Sequence, residues 1–172
     1  HLILFHIKLV QMNNDQISLT NIEKTISSKK ILSDVSFSIG SNEIVGLLGP
    51  NGAGKTTAFY IAAGLIVPDQ GRVFINNKDV TEIPMHSRAK LGLGYLPQEA
   101  SIFTDLSVEN NLLGIAELSN NDKDQTFKKV ARIIDEFELN KILQLKGRML
   151  SGGQRRKVEI ARTLICEPSI IL

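Results

Sequence analysis

The chain has 172 residues, enough for one domain with a real core. Hydrophobic residues make up 42% and charged residues 22%, an ordinary globular balance that argues against disordered and fibrous classes. Its 20 lysines and arginines stand against 18 acidic residues, a net charge of +2. The basic residues are spread along the chain, so nothing in the charge calls for nucleic acid as partner. The single cysteine, Cys166, excludes an internal disulfide and fits a reducing compartment. It falls on an apolar helix face, where a packed thiol is the expectation. No apolar run reaches membrane-spanning length.

Residues 1–10 are apolar but lack the charged lead and small-residue cleavage site of a secretory signal. Two readings compete: translated sequence ahead of a start at Met12, or an extra strand or anchor. The first is favoured, so residues 1–16 are expected to stand outside the fold and residues 17–172 to form it. His1 and His6 receive no role. From Ile17 to Ile22, and again from Ile31 to Ile39, apolar and polar residues alternate as in half-buried strands. Such strands build an antiparallel layer with one wet face. Gly40-Ser41-Asn42 then turns the chain into a short apolar run, residues 43–48, which reads as a buried parallel strand.

That strand leads into Gly49-Pro50-Asn51-Gly52-Ala53-Gly54-Lys55-Thr56, which matches G-x-x-x-x-G-K-[ST]. Thr57 and the residues up to Ala63 read as a helix ended by Gly64. The glycines let successive backbone N–H groups turn onto an anion, and the new helix adds its unpaired N–H groups and positive dipole end. Lys55 supplies charge to outer phosphates, and the Thr56 hydroxyl can ligate Mg²⁺. A glycine-rich turn before an ordinary helix is the bland alternative. Strand, loop and helix in this order favour a nucleoside triphosphate.

Pro68-Asp69-Gln70-Gly71 signals a turn, and residues 72–75 return as a strand. Pro84 opens a helix over residues 85–91. A strand over residues 92–97 closes at Pro97, and Gln98 follows at the strand end, placed to reach a metal or a water. Residues 101–150 read as a helical insertion without catalytic chemistry. Ser107 caps a helix running towards Ser119, and a polar break covers residues 120–124. Phe127, Val130, Ile133, Ile134 and Phe137 then mark the inner face of a second helix. A shorter helical segment covers residues 141–145. Leu150-Ser151-Gly152-Gly153-Gln154 opens the last helix, with Ser151 as N-cap and Val158, Ala161, Leu164 and Ile165 facing inward. Two glycines at a helix start leave room for an anion. Were they only a flexible cap, Arg155, Arg156 and Lys157 would form a solvated basic face.

With the loop at residues 49–56, Gln98, and residues 150–154 in this order, the chain resembles the nucleotide-binding domain of ATP-binding cassette (ABC) transporters over residues 17–172. The resemblance implies an α/β P-loop NTPase core with an antiparallel β layer and a helical subdomain, incomplete at the C-terminus. It implies an ATPase, peripheral on the cytoplasmic face of a membrane, that couples ATP binding and hydrolysis to transport. Partners would be a second copy of the chain and integral permease subunits; cofactors would be ATP and Mg²⁺. Mapped onto this sequence, Gly49, Pro50, Asn51, Gly52, Ala53, Gly54, Lys55, Thr56 and Thr57 form the Walker A nucleotide-binding loop. Thr56 and Gln98, the latter on the Q-loop, hold Mg²⁺. Leu150, Ser151, Gly152, Gly153 and Gln154 form the signature, with Ser151 and Gly153 capping the γ-phosphate bound to the other copy.

Within the family, residues 94–103 and 155–162 are similar to the lipopolysaccharide export ATPases, with branched-chain amino acid importers next. Family ATPases that serve repair, translation or chromosome structure remain a second class, and a non-catalytic nucleotide-binding module a third. Two departures stand out. Ile26 occupies the position where the family stacks an aromatic residue on adenine. The residues from Ser169 to Leu172 resemble the start of the Walker B strand, so its carboxylates and the general base are expected beyond Leu172. No catalytic residue is assigned within the chain, which by itself is expected not to turn ATP over.

Overall fold

A two-residue turn starts the fold. Ser27 and Ser28 both take positive φ (47° and 63°), as a type I′ hairpin turn requires. They join β2 (Asp15–Ile26) to β3 (Lys29–Gly40) as an antiparallel pair. The computed structural model describes residues 3–8, 15–119 and 123–172. The proposed start at Met12 and most of the polar break at 120–124 lie outside the described residues. The chain divides into two compact units, residues 1–93 with Leu172, and residues 94–171.

In the first unit, β5 (Gln70–Ile75) and β6 (Lys78–Asp79) extend the hairpin into a four-stranded antiparallel sheet ordered β3-β2-β5-β6. Register sets its inner face: Ile17 lies opposite Ile39 and Ile75, and Leu19 opposite Phe37 and Val73. Ile17, Leu19, Val73 and Ile75 are all buried, as alternation predicts. From α1 (Lys55–Ala63), Ala58, Ile61, Ala62 and Ala63 are buried too.

The strand before the loop, β4 (Glu43–Leu48), departs from expectation. It pairs antiparallel with β1 (Ile3–Lys8) and is covered on one face only. Val45 and Leu47 line a small apolar cavity with Ile17, Phe37, Ile39 and Phe59, while Ile44 and Leu48 are 63% and 50% exposed. A strand is buried on both faces only where other elements cover both, and here one face is covered. Residues 3–8 therefore belong to a sheet, against the expectation that residues 1–16 stand outside the fold.

The second unit is helical: α3 (Val108–Ser119), α4 (Lys123–Glu136) and α5 (Gly152–Ile165). Ahead of it, α2 (Met85–Ala89) follows Pro84, and only Leu93–Gly94 of the expected strand over 92–97 is extended, as β7. The expected segment at 141–145 is a single 3-10 turn over Asn140–Ile142. One core joins Val108, Leu112 and Ala116 of α3, Val130 and Ile133 of α4, and Val158, Ala161 and Ile165 of α5. The apolar face of α5 needs cover, so the core runs past residue 150 rather than closing within 101–150. Phe127 lies outside this core at 60% exposure, and the neighbouring Thr126 takes the buried position one turn above Val130. Cys166 is exposed rather than packed, because α5 ends at Ile165 and helical periodicity no longer aims it inward. Partial desolvation still pushes its thiol up, outweighing the opposite pull of Lys129 and Arg162. A short β8 (Ile170–Ile171) follows. Among the described residues, no helix is long and apolar enough to cross a membrane.

Candidate nucleotide-binding site

The loop leaves β4 at Gly49 and turns on a hydrogen bond from the Ala53 N–H to the Pro50 carbonyl (3.2 Å). Gly54, the N-cap of α1, sits at φ 87° and has no side chain to cap the helix. The first-turn N–H groups of α1 therefore meet no capping side chain and remain free to bind an anion. A Cβ on Gly54 would lie 2.6 Å from Leu32 Cδ2 and 3.0 Å from the Ile31 carbonyl oxygen. Gly54→Ala is expected to cost about 1–3 kcal/mol, from positive-φ strain and this clash together. Urea unfolding checks it; a midpoint equal to the parent's would contradict the packing described.

Lys55 lies back across the loop. Its Nζ donates to the carbonyl oxygens of Gly49 (2.7 Å) and Pro50 (2.8 Å), which leaves one of three N–H donors for an anion. Thr56 is exposed in the first turn of α1. Backbone N–H groups, an ammonium and a hydroxyl fit the outer phosphates of a nucleotide. On this loop the Thr56 hydroxyl is a neutral oxygen donor of the kind Mg²⁺ takes. Among the described residues, no group of three or more His, Cys, Asp or Glu side chains could hold a metal alone. The loop hydroxyl therefore suits a hard cation that arrives with phosphate oxygens as further ligands.

The far end of α1 is fixed by a residue that sequence reasoning passed over. Gly64 and Leu65 close a Schellman motif by donating to the carbonyls of Ile61 (3.1 Å) and Tyr60 (2.8 Å). Arg88, fully buried, donates through Nη1 to the Ile61 (2.7 Å) and Ala62 (2.8 Å) carbonyls. Its Nε reaches the Ile83 carbonyl (2.8 Å) and its Nη2 the Thr81 carbonyl (3.1 Å).

The second unit carries the other motif residues. Ser151 caps α5 through a capping box: its Oγ accepts the Gln154 N–H (3.3 Å) and Gln154 Oε1 accepts the Ser151 N–H (2.9 Å). Leu150 is anchored in the helical core. Gly152 and Gly153 are exposed, and a Cβ on either would meet nothing within 4 Å. Gln98 is exposed too. The stretch around it is tied to α5. Arg156 Nη1 donates to the Pro97 carbonyl (2.8 Å), and Glu159 Oε1 accepts the Ser101 N–H (2.8 Å). Arg162 Nη1 donates to the Ser101 carbonyl (2.6 Å), with its guanidinium 4.7 Å from the Phe103 ring centroid.

A family model described as ABC transporter matches residues 32–172. The chain belongs to the ABC transporter family. It is 50% identical over 153 residues to the lipopolysaccharide export system ATP-binding protein LptB of Haemophilus influenzae, and 44% identical to LptB of Escherichia coli. Both alignments cover 88% of this chain but 64% of the relative, so the chain spans just under two thirds of their length. Among solved structures, it superposes on MJ1267, an ATP-binding cassette of an ABC transporter, with a TM-score of 0.80 at 28% identity. That match covers 91% of this chain and 67% of the other. The fold is thus the α/β P-loop fold of ABC ATPase domains.

In family terms, the Walker A loop lies in the first unit, and Gln98 and the signature in the second. Ile26, which the resemblance matched to an adenine-stacking aromatic, is 41% exposed at the end of β2. It offers apolar contact to a base but no π face. Glu159 and Arg162 were given no role and Arg156 only a place on a possible basic face, although positions three apart on a helix share one face. That spacing was the available signal. Arg88 gave none, because its helix-end partners Ile61 and Ala62 lie in a different element.

Proposed function

We propose that this chain is the ATP-binding part of an ABC transporter that works in lipopolysaccharide export. The Walker A loop carries the nucleotide reading: uncapped N–H groups, Lys55 across the loop and Thr56 beside it. The cargo reading is supported by the names of relatives 44–50% identical to the chain. In this reading residues 49–57 hold ATP, with Lys55 and the N–H groups of α1 on its phosphates. Thr56 and Gln98 hold Mg²⁺, which screens phosphate charge when bound. A two-fold dimer on the cytoplasmic face of the membrane, docked on permease subunits, brings each signature to the other copy's ATP. ATP hydrolysis by the whole protein drives transport.

The cargo is tested by grafting this chain in place of the matching part of Escherichia coli LptB. Lipopolysaccharide should reach the cell surface in cells that depend on the graft. A graft that folds and binds ATP but leaves lipopolysaccharide inside would sink this reading. Leucine uptake driven by the graft would favour a branched-chain amino acid importer instead.

Pairing in trans makes a separate prediction. In a heterodimer with Lys55→Ala in one subunit and Gly153→Asp in the other, both lesions fall on one composite site. About half of the parent's ATP should remain trapped per dimer, as two equivalent sites require. Both lesions in one subunit, opposite an intact partner, should abolish trapping. Equal trapping by the two arrangements would contradict the pairing.

A further inference from the structure

We propose that Arg156, Glu159 and Arg162 of α5 are positioning residues that latch the Gln98 segment to the signature helix, so that both are carried as one body. This rests on reading Gln98 as a metal ligand. Pro97, immediately before Gln98, is held by Arg156; Ser101, three residues after it, is held at both backbone groups, its N–H by Glu159 and its carbonyl by Arg162. Phe103 lies under the Arg162 guanidinium. The segment is thus fixed on both sides of Gln98 by one helix face.

The latch is built to hold. Glu159 is 4% exposed, and its second carboxylate oxygen meets Arg156 at 3.4 Å, so a buried charge is paired as well as hydrogen-bonded. Asn111, fully buried, continues the fixation past the latch. Its Oδ1 accepts the Phe103 N–H (2.9 Å), and its Nδ2 donates to the Phe103 and Ser107 carbonyls (3.0 Å each). The other end of the same helix face begins at Ser151, whose capping box fixes the first turn of α5. A rigid helix with the signature at its start and the Gln98 segment on its side gives the two sites one shared degree of freedom. Charged residues on one face of α5 become the joint between the metal side and the partner-facing side of the site.

The test combines amide hydrogen exchange with ATP binding on the full chain. Glu159→Ala should speed exchange in residues 98–103 at least tenfold, while residues 158–165 keep the parent's protection. Glu159→Gln retains an acceptor oxygen and should recover most of that protection. Arg162→Met removes the other hold on Ser101 and should loosen the same residues if Glu159→Ala fails to fold. The gain in ATP affinity from added Mg²⁺ should fall at least fivefold in Glu159→Ala and in Gln98→Ala, with no further fall in the double variant. Unchanged exchange in residues 98–103 would overturn the latch. A Mg²⁺ gain lost in Gln98→Ala but kept in Glu159→Ala, or additive losses, would overturn positioning through Gln98. A Mg²⁺ gain that survives Gln98→Ala would overturn the metal role of Gln98 and the positioning claim with it; faster exchange would still uphold the mechanical latch.

Discussion

Lys55→Ala is expected to weaken ATP binding by about 10²- to 10³-fold while leaving the fold intact. The ammonium is a point charge that the loop's own carbonyls, from Gly49 and Pro50, hold over the turn. Hydrogen bonds to charged groups contribute about 1.5–3 kcal/mol each, and an ammonium can make two or three to phosphate oxygens. Giving up the two carbonyl bonds offsets part of that, for a net of about 3–4 kcal/mol. At 1.4 kcal/mol per tenfold this is the stated loss. Lys55 is half-buried at the surface of the loop and takes no part in the core, so the melting temperature should move by no more than about 2 °C. Lys55→Arg should rescue poorly, because a planar fork replaces a compact charge that fits the turn. Calorimetric titration of ATP into parent and variants, beside thermal melts, separates binding from folding. Parent-like affinity in Lys55→Ala would refute the assignment of the loop.

Much of this site was legible because its information is local. The Walker A spacing fixes a strand, a glycine turn and a helix start within a few residues, and all three are present. Ser151 followed three residues later by Gln154 spells the capping box that the structure contains. The hairpin strands were legible from alternation, since Ile17 and Leu19 fall on one face whatever the strand pairs with. What failed depended on distant partners. The run over residues 43–48 is apolar enough for a doubly covered strand, but coverage is decided by other elements, and Ile44 and Leu48 are exposed. Phe127 and Cys166 fit a helical period at positions where the packed core or the helix itself has ended. Arg156 had a solvated face as its only alternative reading, and Glu159 and Arg162 had no role. Their partners, Pro97 and Ser101, sit in another part of the chain, and no local pattern records that.

Arg88→Met is expected to lower stability by about 3–6 kcal/mol, and here the largest consequence falls on folding rather than binding. Methionine replaces the aliphatic stem, so little volume is lost. What is lost is a guanidinium that satisfies four carbonyls at once, on Ile61, Ala62, Thr81 and Ile83. Two of these are carbonyls near the end of α1, where the helix dipole is negative and a cation is favoured. Burial pushes Arg88 down to about 10, with the Asp79 charge pulling the other way, so it stays cationic at neutral pH. Ile61 keeps the Gly64 N–H, but each of the other carbonyls left without a donor costs about 1–3 kcal/mol, and relief of the guanidinium's own desolvation returns part of the sum. Domains of this size carry about 5–15 kcal/mol in all, so the variant should be marginal. At roughly 2–4 °C per kcal/mol, its melting temperature should fall by about 6–24 °C. Arg88→Lys keeps the charge but cannot fork towards four acceptors, and should fall between parent and Arg88→Met. Gly64 makes a second approach to the same contact, because a Cβ there would lie 2.7 Å from Arg88 Nε. Gly64→Ala should therefore destabilise in two parts, by positive-φ strain with crowding of the Ile83 carbonyl and by displacing the guanidinium, and only the second part should vanish in an Arg88→Met background. A double-mutant cycle by thermal melts measures this coupling. Additive losses, or an Arg88→Met melt within about 2 °C of the parent, would show that Arg88 does not hold the end of the Walker A helix.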